Sequence, residues 1–202
     1  MQNFKSNKHA KGFNLLELML VLAAIVVLGA FVFNQYNKYR IGEQASNDAQ
    51  ALATAATGIK ALYTSGNYTT LSPTVAANAK FFPDNMTDGS TIINPYQGTV
   101  VLGPVDTSAG VDDAVPNITA GSGSPSATNT KRYFGISYPN VPSAVCIKLA
   151  GAASGAFDKI GIGGQVVKNT VPGATTRRLL DETRVTTQCG QDTTVTMVFI
   201  TS

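Results

Sequence analysis

Hydrophobic side chains are concentrated in one segment, KGFNLLELMLVLAAIVVLGAFVF, at residues 11–33. No polar side chain interrupts this segment between Leu18 and Phe33. Counted from Phe13, it would form about 31 Å of α-helix at about 1.5 Å per residue, which is enough to span a bilayer. The pattern therefore predicts a helix that is apolar on all sides, with one carboxylate, Glu17, near its start.

Residues 34–63 continue with a one-sided pattern. No proline occurs between Phe13 and Pro73, so the two patterns together predict one helix of about 50 residues. Its first half suits lipid or other helices, and its second half suits the surface of a sheet. The apolar stripe consists of Ile41, Ala45, Ala49, Leu52, Ala56, Ile59 and Tyr63. The opposite, polar side is predicted to carry Lys38, Glu43, Asn47, Asp48 and Gln50.

From Ser65 onward, turn-rich stretches alternate with short runs of β-branched and aromatic residues. Residues 144–153 could form a short helix that carries Cys146, and residues 115–130 read as an exposed loop. The sequence therefore predicts an α+β domain in which a long N-terminal helix packs on a mostly antiparallel sheet. Four runs are predicted as strands: Thr99–Leu102, Tyr133–Tyr138, Ile160–Val167 and Thr194–Ile200.

The formal net charge of +3 comes from residues 1–12, MQNFKSNKHAKG. Lys5, Lys8 and Lys11 lie there without any acid, which leaves 12 of the 15 basic residues against 12 acidic residues in the rest of the chain. Basic residues beside a membrane segment hold that end in the cytoplasm. A nucleic-acid-binding domain would carry a basic stripe of its own, so no nucleic-acid partner is predicted.

Candidate chemistry is sparse. The only histidine, His9, precedes the apolar segment. A Ser/His/Asp catalytic set and a Cys/His zinc site therefore both lack a histidine in the rest of the chain. We predict no catalytic residue, no metal site and no cofactor. The glycines between Ile160 and Gly164 lack the spacing of a phosphate-binding loop. Two charged pairs are predicted to be solvated surface, Asp112-Asp113 and Arg177-Arg178.

Cys146 and Cys189 are the two cysteines, and neither belongs to a CxxC pair. A segment that directs the chain to a membrane would place them in an oxidising compartment, which favours a disulfide over two unpaired core cysteines. Closing a loop of about 44 residues would stabilise the fold by roughly 4 kcal/mol on the chain-entropy model.

The apolar segment has three interpretations. It could be an ordinary membrane anchor, or a cleaved secretory signal, although its core is long for a signal and Leu28-Gly-Ala30 is a poor cleavage site. The third interpretation rests on Gly12-Phe13-Asn-Leu-Leu-Glu17-Leu, which resembles the class III signal of type IV pilins. That resemblance implies that a prepilin peptidase cleaves between Gly12 and Phe13 and that the new N-terminus at Phe13 is methylated. It also implies that Glu17 pairs with the Phe13 amine of a neighbouring subunit.

Two further stretches resemble the type IVb pilins, which include the bundle-forming and toxin-coregulated pilus subunits. One is Asn94-Pro95-Tyr96-Gln-Gly98 ahead of a strand, and the other is Cys146 on a short helix with Cys189 ahead of a final strand. The short 12-residue leader and the aromatic Phe13 depart from that subclass.

The resemblance implies three regions: a leader at residues 1–12, a membrane and filament-core helix at 13–33, and a periplasmic or extracellular domain at 34–202. The precursor would lie in the inner membrane and then polymerise as a homo-oligomeric helical filament on the bacterial surface. Its implied partners are the prepilin peptidase, the pilus assembly platform with its ATPase, and the outer-membrane secretin. The alternatives are a type II secretion pseudopilin and a minor pilin or tip adhesin.

Overall fold

The structure is a computed structural model that describes residues 15–106, 112–121 and 131–202. The chain divides at Arg40 into two compact units, each of which is described by itself. The described part of the first unit is the beginning of α1 (Leu15–Leu62), which continues without a break past Gly42 and Gly58. The prediction of one long helix is therefore confirmed.

The globular unit, Ile41–Ser202, consists of the second half of α1 and one seven-stranded sheet with short helices. The strand order is β1-β2-β3-β4-β7-β5-β6, and every described pair of neighbours is antiparallel. The α+β class is thus confirmed. The elements after α1 are α2 (Pro73–Asn78), a 3-10 turn (Asp84–Met86), β1 (Thr87–Asp88), β2 (Thr91–Ile93), β3 (Thr99–Val105), β4 (Tyr133–Pro142), α3 (Ser143–Ala153), β5 (Lys159–Ile162), β6 (Gln165–Asn169), α4 (Glu182–Cys189) and β7 (Thr194–Thr201).

The core lies mainly between the sheet and the second half of α1. Side chains alternate between the two faces of a strand. On β7, Met197 and Phe199 therefore join the α1 side, whereas Val198 and Ile200 join a smaller cluster on the other face. The helix contributes mostly small residues to the larger cluster: Ala45, Ala49, Leu52, Ala55, Ala56 and Ile59.

Both edges of the sheet are blunted, which limits pairing with a foreign strand. The edge strand β1 has only two residues. At the other edge, Asn169 of β6 exchanges backbone hydrogen bonds with Arg178, at 2.8 and 2.7 Å, and the Asp181 N–H donates to the Val167 carbonyl.

Two sequence predictions are corrected here. The run Ile160–Val167, predicted as one strand, is a hairpin in which β5 and β6 are joined at Gly163 and Gly164. Both glycines have positive φ (56° and 82°), which a tight two-residue hairpin turn requires. The predicted exposed loop at 115–130 is described only to residue 121. That part has no helix or strand, as predicted, but its Ile118 is buried against the outer face of the sheet rather than exposed. The sequence did not predict α2, α4, β1 or β2.

Candidate assembly surface

The apolar segment, defined as Leu15–Phe33 of α1, exposes hydrophobic side chains around its whole circumference. Leu15 is 72% exposed and Val26 is 70% exposed. Helix α1 is long and apolar enough to cross a membrane, and none of its most apolar stretch is buried in this chain. Burying a large aliphatic side chain contributes about 1.5–3 kcal/mol, so this surface is strongly favoured to contact lipid or other helices.

Glu17 lies in the first turn of α1 as the structure describes it, with exposed leucines on both sides. Its predicted partner, Phe13, and the predicted cleavage residue, Gly12, lie outside the described residues. Cleavage after Gly12, methylation of Phe13 and the pairing of Glu17 with the Phe13 amine therefore stay predictions.

The disulfide between Cys146 and Cys189 joins α3 to the end of α4, with 5.8 Å between the two Cα atoms. Both cysteines are fully buried in the main core. The predicted disulfide is therefore confirmed. It closes a segment that contains the β5–β6 hairpin, and it ties that hairpin's flanking helices together.

The Asn94 turn, residues 94–98, is built around one buried side chain. The Oδ1 atom of Asn94 accepts hydrogen bonds from the backbone N–H groups of Tyr96 and Gly98, at 3.0 and 2.8 Å. Its Nδ2 atom donates to the carbonyl of Pro139 on β4. A Cβ atom at Gly98 would lie 2.7 Å from that carbonyl, so only glycine fits. The Asn94 amide thereby fixes both the shape of the turn and its place against the sheet.

The Asn94 turn also holds α1. The Tyr96 hydroxyl donates to the Asp48 carboxylate at 2.5 Å, and Asp48 is only 4% exposed. The sequence prediction that Asp48 lies on the polar side of α1 is therefore wrong. The signal was present in the spacing, because Asp48 lies three residues after Ala45 and four before Leu52, both of them buried.

Two tyrosines lie beside this carboxylate: Tyr138, which is fully buried, and Tyr96, which is partly buried. The Tyr138 hydroxyl is buried and has no hydrogen-bond partner of acceptable geometry among the described residues. Burial raises the pKa of Asp48, and the Tyr96 and Tyr138 hydroxyls beside the carboxylate oppose that rise. Burial, together with the nearby Asp48 carboxylate, raises the pKa of both Tyr96 and Tyr138, so both phenols stay protonated.

A second polar cluster pins residues 112–121 to the outer face of the sheet. The Lys159 ammonium donates to the Asp112 backbone carbonyl at 2.9 Å and to its carboxylate at 3.3 Å. Burial of Lys159 lowers its pKa, while the Asp112 carboxylate acts in the opposite direction. Arg178 pairs with Asp113 at 3.3 Å and donates to the Val166 carbonyl.

These pairings correct the prediction that Asp112, Asp113 and Arg178 are simply solvated, whereas Arg177 is exposed, as predicted. No local signal in the sequence marks Lys159 as buried, because its partner lies in a loop far along the chain. Within the described ranges, no three His, Cys, Asp or Glu side chains come together in a way that could hold a metal ion.

Comparison with known proteins places the chain in a family. The family model described as PilS N terminal matches residues 42–116 and 115–202. Since these matches cover most of the chain, it belongs to the PilS N-terminal family.

Curated relatives point the same way. The chain is 29% identical over 104 residues to the major structural subunit of bundle-forming pilus from Escherichia coli O127:H6 (strain E2348/69 / EPEC), covering 50% of this chain and 54% of the relative. The protein of the same description from Escherichia coli O111:H- matches equally well. The chain thus spans about half the length of the curated relatives it matches. The predicted resemblance to type IVb pilins is confirmed by the family match together with these relatives.

Two crystal structures are similar at 20% identity and a TM-score of 0.49. One is TcpA, a type IV pilin from Vibrio cholerae El Tor biotype, for which 81% of this chain and 99% of that chain are covered. The other is a type IVb pilin from Salmonella typhi, for which the shares are 76% and 96%.

Proposed function

We propose that this chain is a structural subunit of a type IV pilus and that it polymerises with copies of itself through its apolar segment. The observation that carries the proposal is the complete exposure of Leu15–Phe33 at one end of a helix whose other end is built into the globular unit. The hydrophobic side chains of this segment can be buried in lipid before assembly and against neighbouring helices after assembly. The E. coli relatives, described as major pilus subunits, support the homo-oligomeric state and an extracellular location for the assembled form.

The proposed maturation gives Glu17 its role. The precursor lies in the inner membrane until a prepilin peptidase cleaves after Gly12 and methylates the amine of Phe13. In the filament, Glu17 then pairs with the Phe13 amine of a neighbouring subunit. Removing one member of a buried ion pair costs about 3–5 kcal/mol, and in a filament this cost recurs at every equivalent contact. Assembly thereby depends on prior cleavage.

The remaining proposed partners follow from this pathway. An assembly platform with its ATPase would move subunits from the membrane into the filament, and an outer-membrane secretin would pass the filament to the surface. The filament would serve adhesion, aggregation or motility. A type II secretion pseudopilin is less well supported, because Asp112 and Asp113 already pair with Lys159 and Arg178, and these cations oppose a calcium ion there. No observation favours a minor pilin or tip adhesin.

The test compares processed subunit in the membrane with subunit in sheared surface filaments. Glu17→Val should be inserted and cleaved, because an apolar residue suits the segment and the cleavage site is unchanged, but filaments should be lost. Glu17→Gln should give an intermediate defect. Glu43→Gln, a matched change at an exposed position further along α1, should assemble normally.

Intact-mass measurement of the filaments completes the test. The subunit mass should correspond to a chain that begins at methylated Phe13. Normal filaments from the Glu17→Val protein would overturn the proposed pairing. Filaments that retain residues 1–12 would overturn the proposed cleavage.

A further inference from the structure

One side of the apolar segment has a hollow. Apart from the helix's own backbone and the two residues next to Gly29, no atom lies within 4 Å of the place where a Cβ of residue 29 would be. The residues that follow a single face of the helix around Gly29 form a shallow, almost entirely apolar groove of about 550 Å³. We call this the Gly29 groove, and it is lined by Ile25, Leu28, Gly29, Val32, Phe33 and Tyr36.

The outer end of the Gly29 groove is amphipathic and positively charged. The Tyr36 ring closes the groove, and the Arg40 guanidinium lies 6.0 Å from the centre of that ring. Tyr39, which is 68% exposed, follows on a neighbouring part of the same face, because residues three and four apart are adjacent on a helix. Tyrosine and arginine are side chains that favour the boundary between hydrocarbon and headgroups.

The dimensions of the groove fit one lipid leaflet. From Ile25 to Tyr36 the helix rises about 16 Å, and one leaflet of a bilayer has about 15 Å of hydrocarbon. The apolar run ends at Phe33, so Tyr36 and Arg40 lie one to two turns beyond it. An acyl chain in the groove would therefore bring its own headgroup to the level of Arg40.

We propose that the Gly29 groove binds one anionic glycerophospholipid, with an acyl chain against Gly29 and the headgroup phosphate beside Arg40. The inference rests on the membrane-inserted precursor of the proposed function. It adds that a specific lipid occupies this face before assembly, and that a neighbouring helix must displace the lipid to use the same face in a filament.

The test reconstitutes the full chain in nanodiscs of phosphatidylcholine alone or with one quarter phosphatidylglycerol, and counts retained lipids by native mass spectrometry. Incorporation is measured separately, by co-elution of the chain with the disc. Wild-type protein should retain phosphatidylglycerol in preference to phosphatidylcholine. Arg40→Gln should lower that preference about fivefold, the effect of one basic residue near an anionic surface. Gly29→Leu should fill the groove and abolish retention of the bound lipid.

Each variant has a matched control in the same helix. Lys38 precedes Arg40 by two residues, about 200° around the helix, so Lys38→Gln removes a cation at nearly the same depth on a different face. Ala30 adjoins Gly29 but faces away from the groove, so Ala30→Leu adds the same side chain at the same depth. Both controls should retain the lipid as wild type does.

Four outcomes would overturn the proposal. Protein that is incorporated but shows no preference for the anionic lipid would overturn it while leaving the pilus function intact. The proposal would also be overturned if Lys38→Gln lowered the preference for phosphatidylglycerol as much as Arg40→Gln does. A dimer in the discs that retains no lipid would overturn it too, because a second copy of the chain would then occupy the groove. A chain that does not enter the discs at all would contradict both the lipid site and the membrane-inserted precursor.

Discussion

Replacing Tyr96 by phenylalanine removes a single hydroxyl from the contact between α1 and the Asn94 turn. The ring keeps its packing, including the edge-on contact with Tyr138 at 6.4 Å between ring centres. What is lost is the hydrogen bond to Asp48, a carboxylate that is 4% exposed. The substitution therefore isolates one polar contact between α1 and the sheet side of the core.

The expected cost depends on the protonation of Asp48. A hydrogen bond to a charged group contributes about 1.5–3 kcal/mol and one between neutral groups about 0.5–1.5 kcal/mol. We therefore expect Tyr96→Phe to lower the free energy of unfolding by the larger amount where Asp48 is ionised and by the smaller amount where it is protonated. The measurement is a urea titration of the full chain in detergent micelles, followed by tyrosine near-ultraviolet circular dichroism.

The pH dependence provides a second readout. Burial raises the pKa of Asp48 above its ordinary value of 3.8, so the folded state holds the proton more tightly than the unfolded chain. The contribution of Asp48 to stability is thus fully present below about pH 3.8 and is lost as the pH rises through the folded pKa. Because the Tyr96 hydrogen bond lowers that pKa, Tyr96→Phe should extend the loss to higher pH. Asp48→Asn should remove this part of the pH dependence.

The neighbouring tyrosine is the control. The Tyr138 hydroxyl is buried near the same carboxylate but has no hydrogen-bond partner in the described part of the chain. Tyr138→Phe should therefore leave stability unchanged or raise it slightly, since a buried polar group without a partner is itself unfavourable. If Tyr138→Phe costs as much as Tyr96→Phe, or if the cost of Tyr96→Phe does not change anywhere along a pH titration, the assignment of the contact is wrong.

The remaining predictions concern the disulfide and the close packing of the sheet. Cys146→Ser should lower the free energy of unfolding by about 4 kcal/mol, because the loop that the disulfide closes becomes free in the unfolded chain. The gel mobility of the wild-type protein should shift on reduction. An unchanged melting temperature after loss of the Cys146–Cys189 bond would contradict the predicted loss of stability. Gly103→Ala would place a Cβ in steric clash with the backbone carbonyl oxygen of Thr119, so the loop that carries Thr119 must move and thermal stability should fall sharply. At Gly151, a Cβ would meet nothing within 4 Å beyond the neighbouring residues and the backbone of its own helix. Gly151→Ala should therefore stabilise α3 by about 0.5–1 kcal/mol, and equal melting temperatures for the two variants would refute the packing argument.

The sequence predicted those elements whose signals are local. The continuous helix follows from apolar periodicity and the absence of proline, and α3 follows from a short apolar run around Cys146. The strand at Thr194–Thr201 follows from alternating β-branched and aromatic residues. In each case neighbouring residues along the chain carry the signal, and the tertiary packing favours the same local structure.

Contacts between distant segments were not predicted. Asp48 and Tyr96 are 48 residues apart, and Lys159 and Asp112 are 47 apart. The hydrophobic pattern says nothing about which polar residues will meet. The hairpin at Gly163-Gly164 was missed although a signal was present, because a glycine pair between two short apolar runs is typical of a tight hairpin turn. Helix α4 buries only Val185 and Cys189, which gives almost no periodic signal. Its N-cap, Asp181, whose side chain accepts the Arg184 N–H at 3.0 Å, was the available clue.

The composition of α1 explains why polar contacts matter to the globular unit. Its buried face consists largely of alanines, and small side chains allow close approach but leave the helix few large residues that fix its position along the sheet. This face has two polar contacts, one toward each end. Near one end Asp48 accepts from Tyr96, and near the other the Lys60 ammonium donates to the Thr201 hydroxyl at 2.9 Å, which in turn donates to Asp158. Sliding α1 by one turn would break both contacts and leave Asp48 as a buried charge without a partner, which is strongly unfavourable. The alanines therefore supply the area of the interface, and the polar pairs select its register.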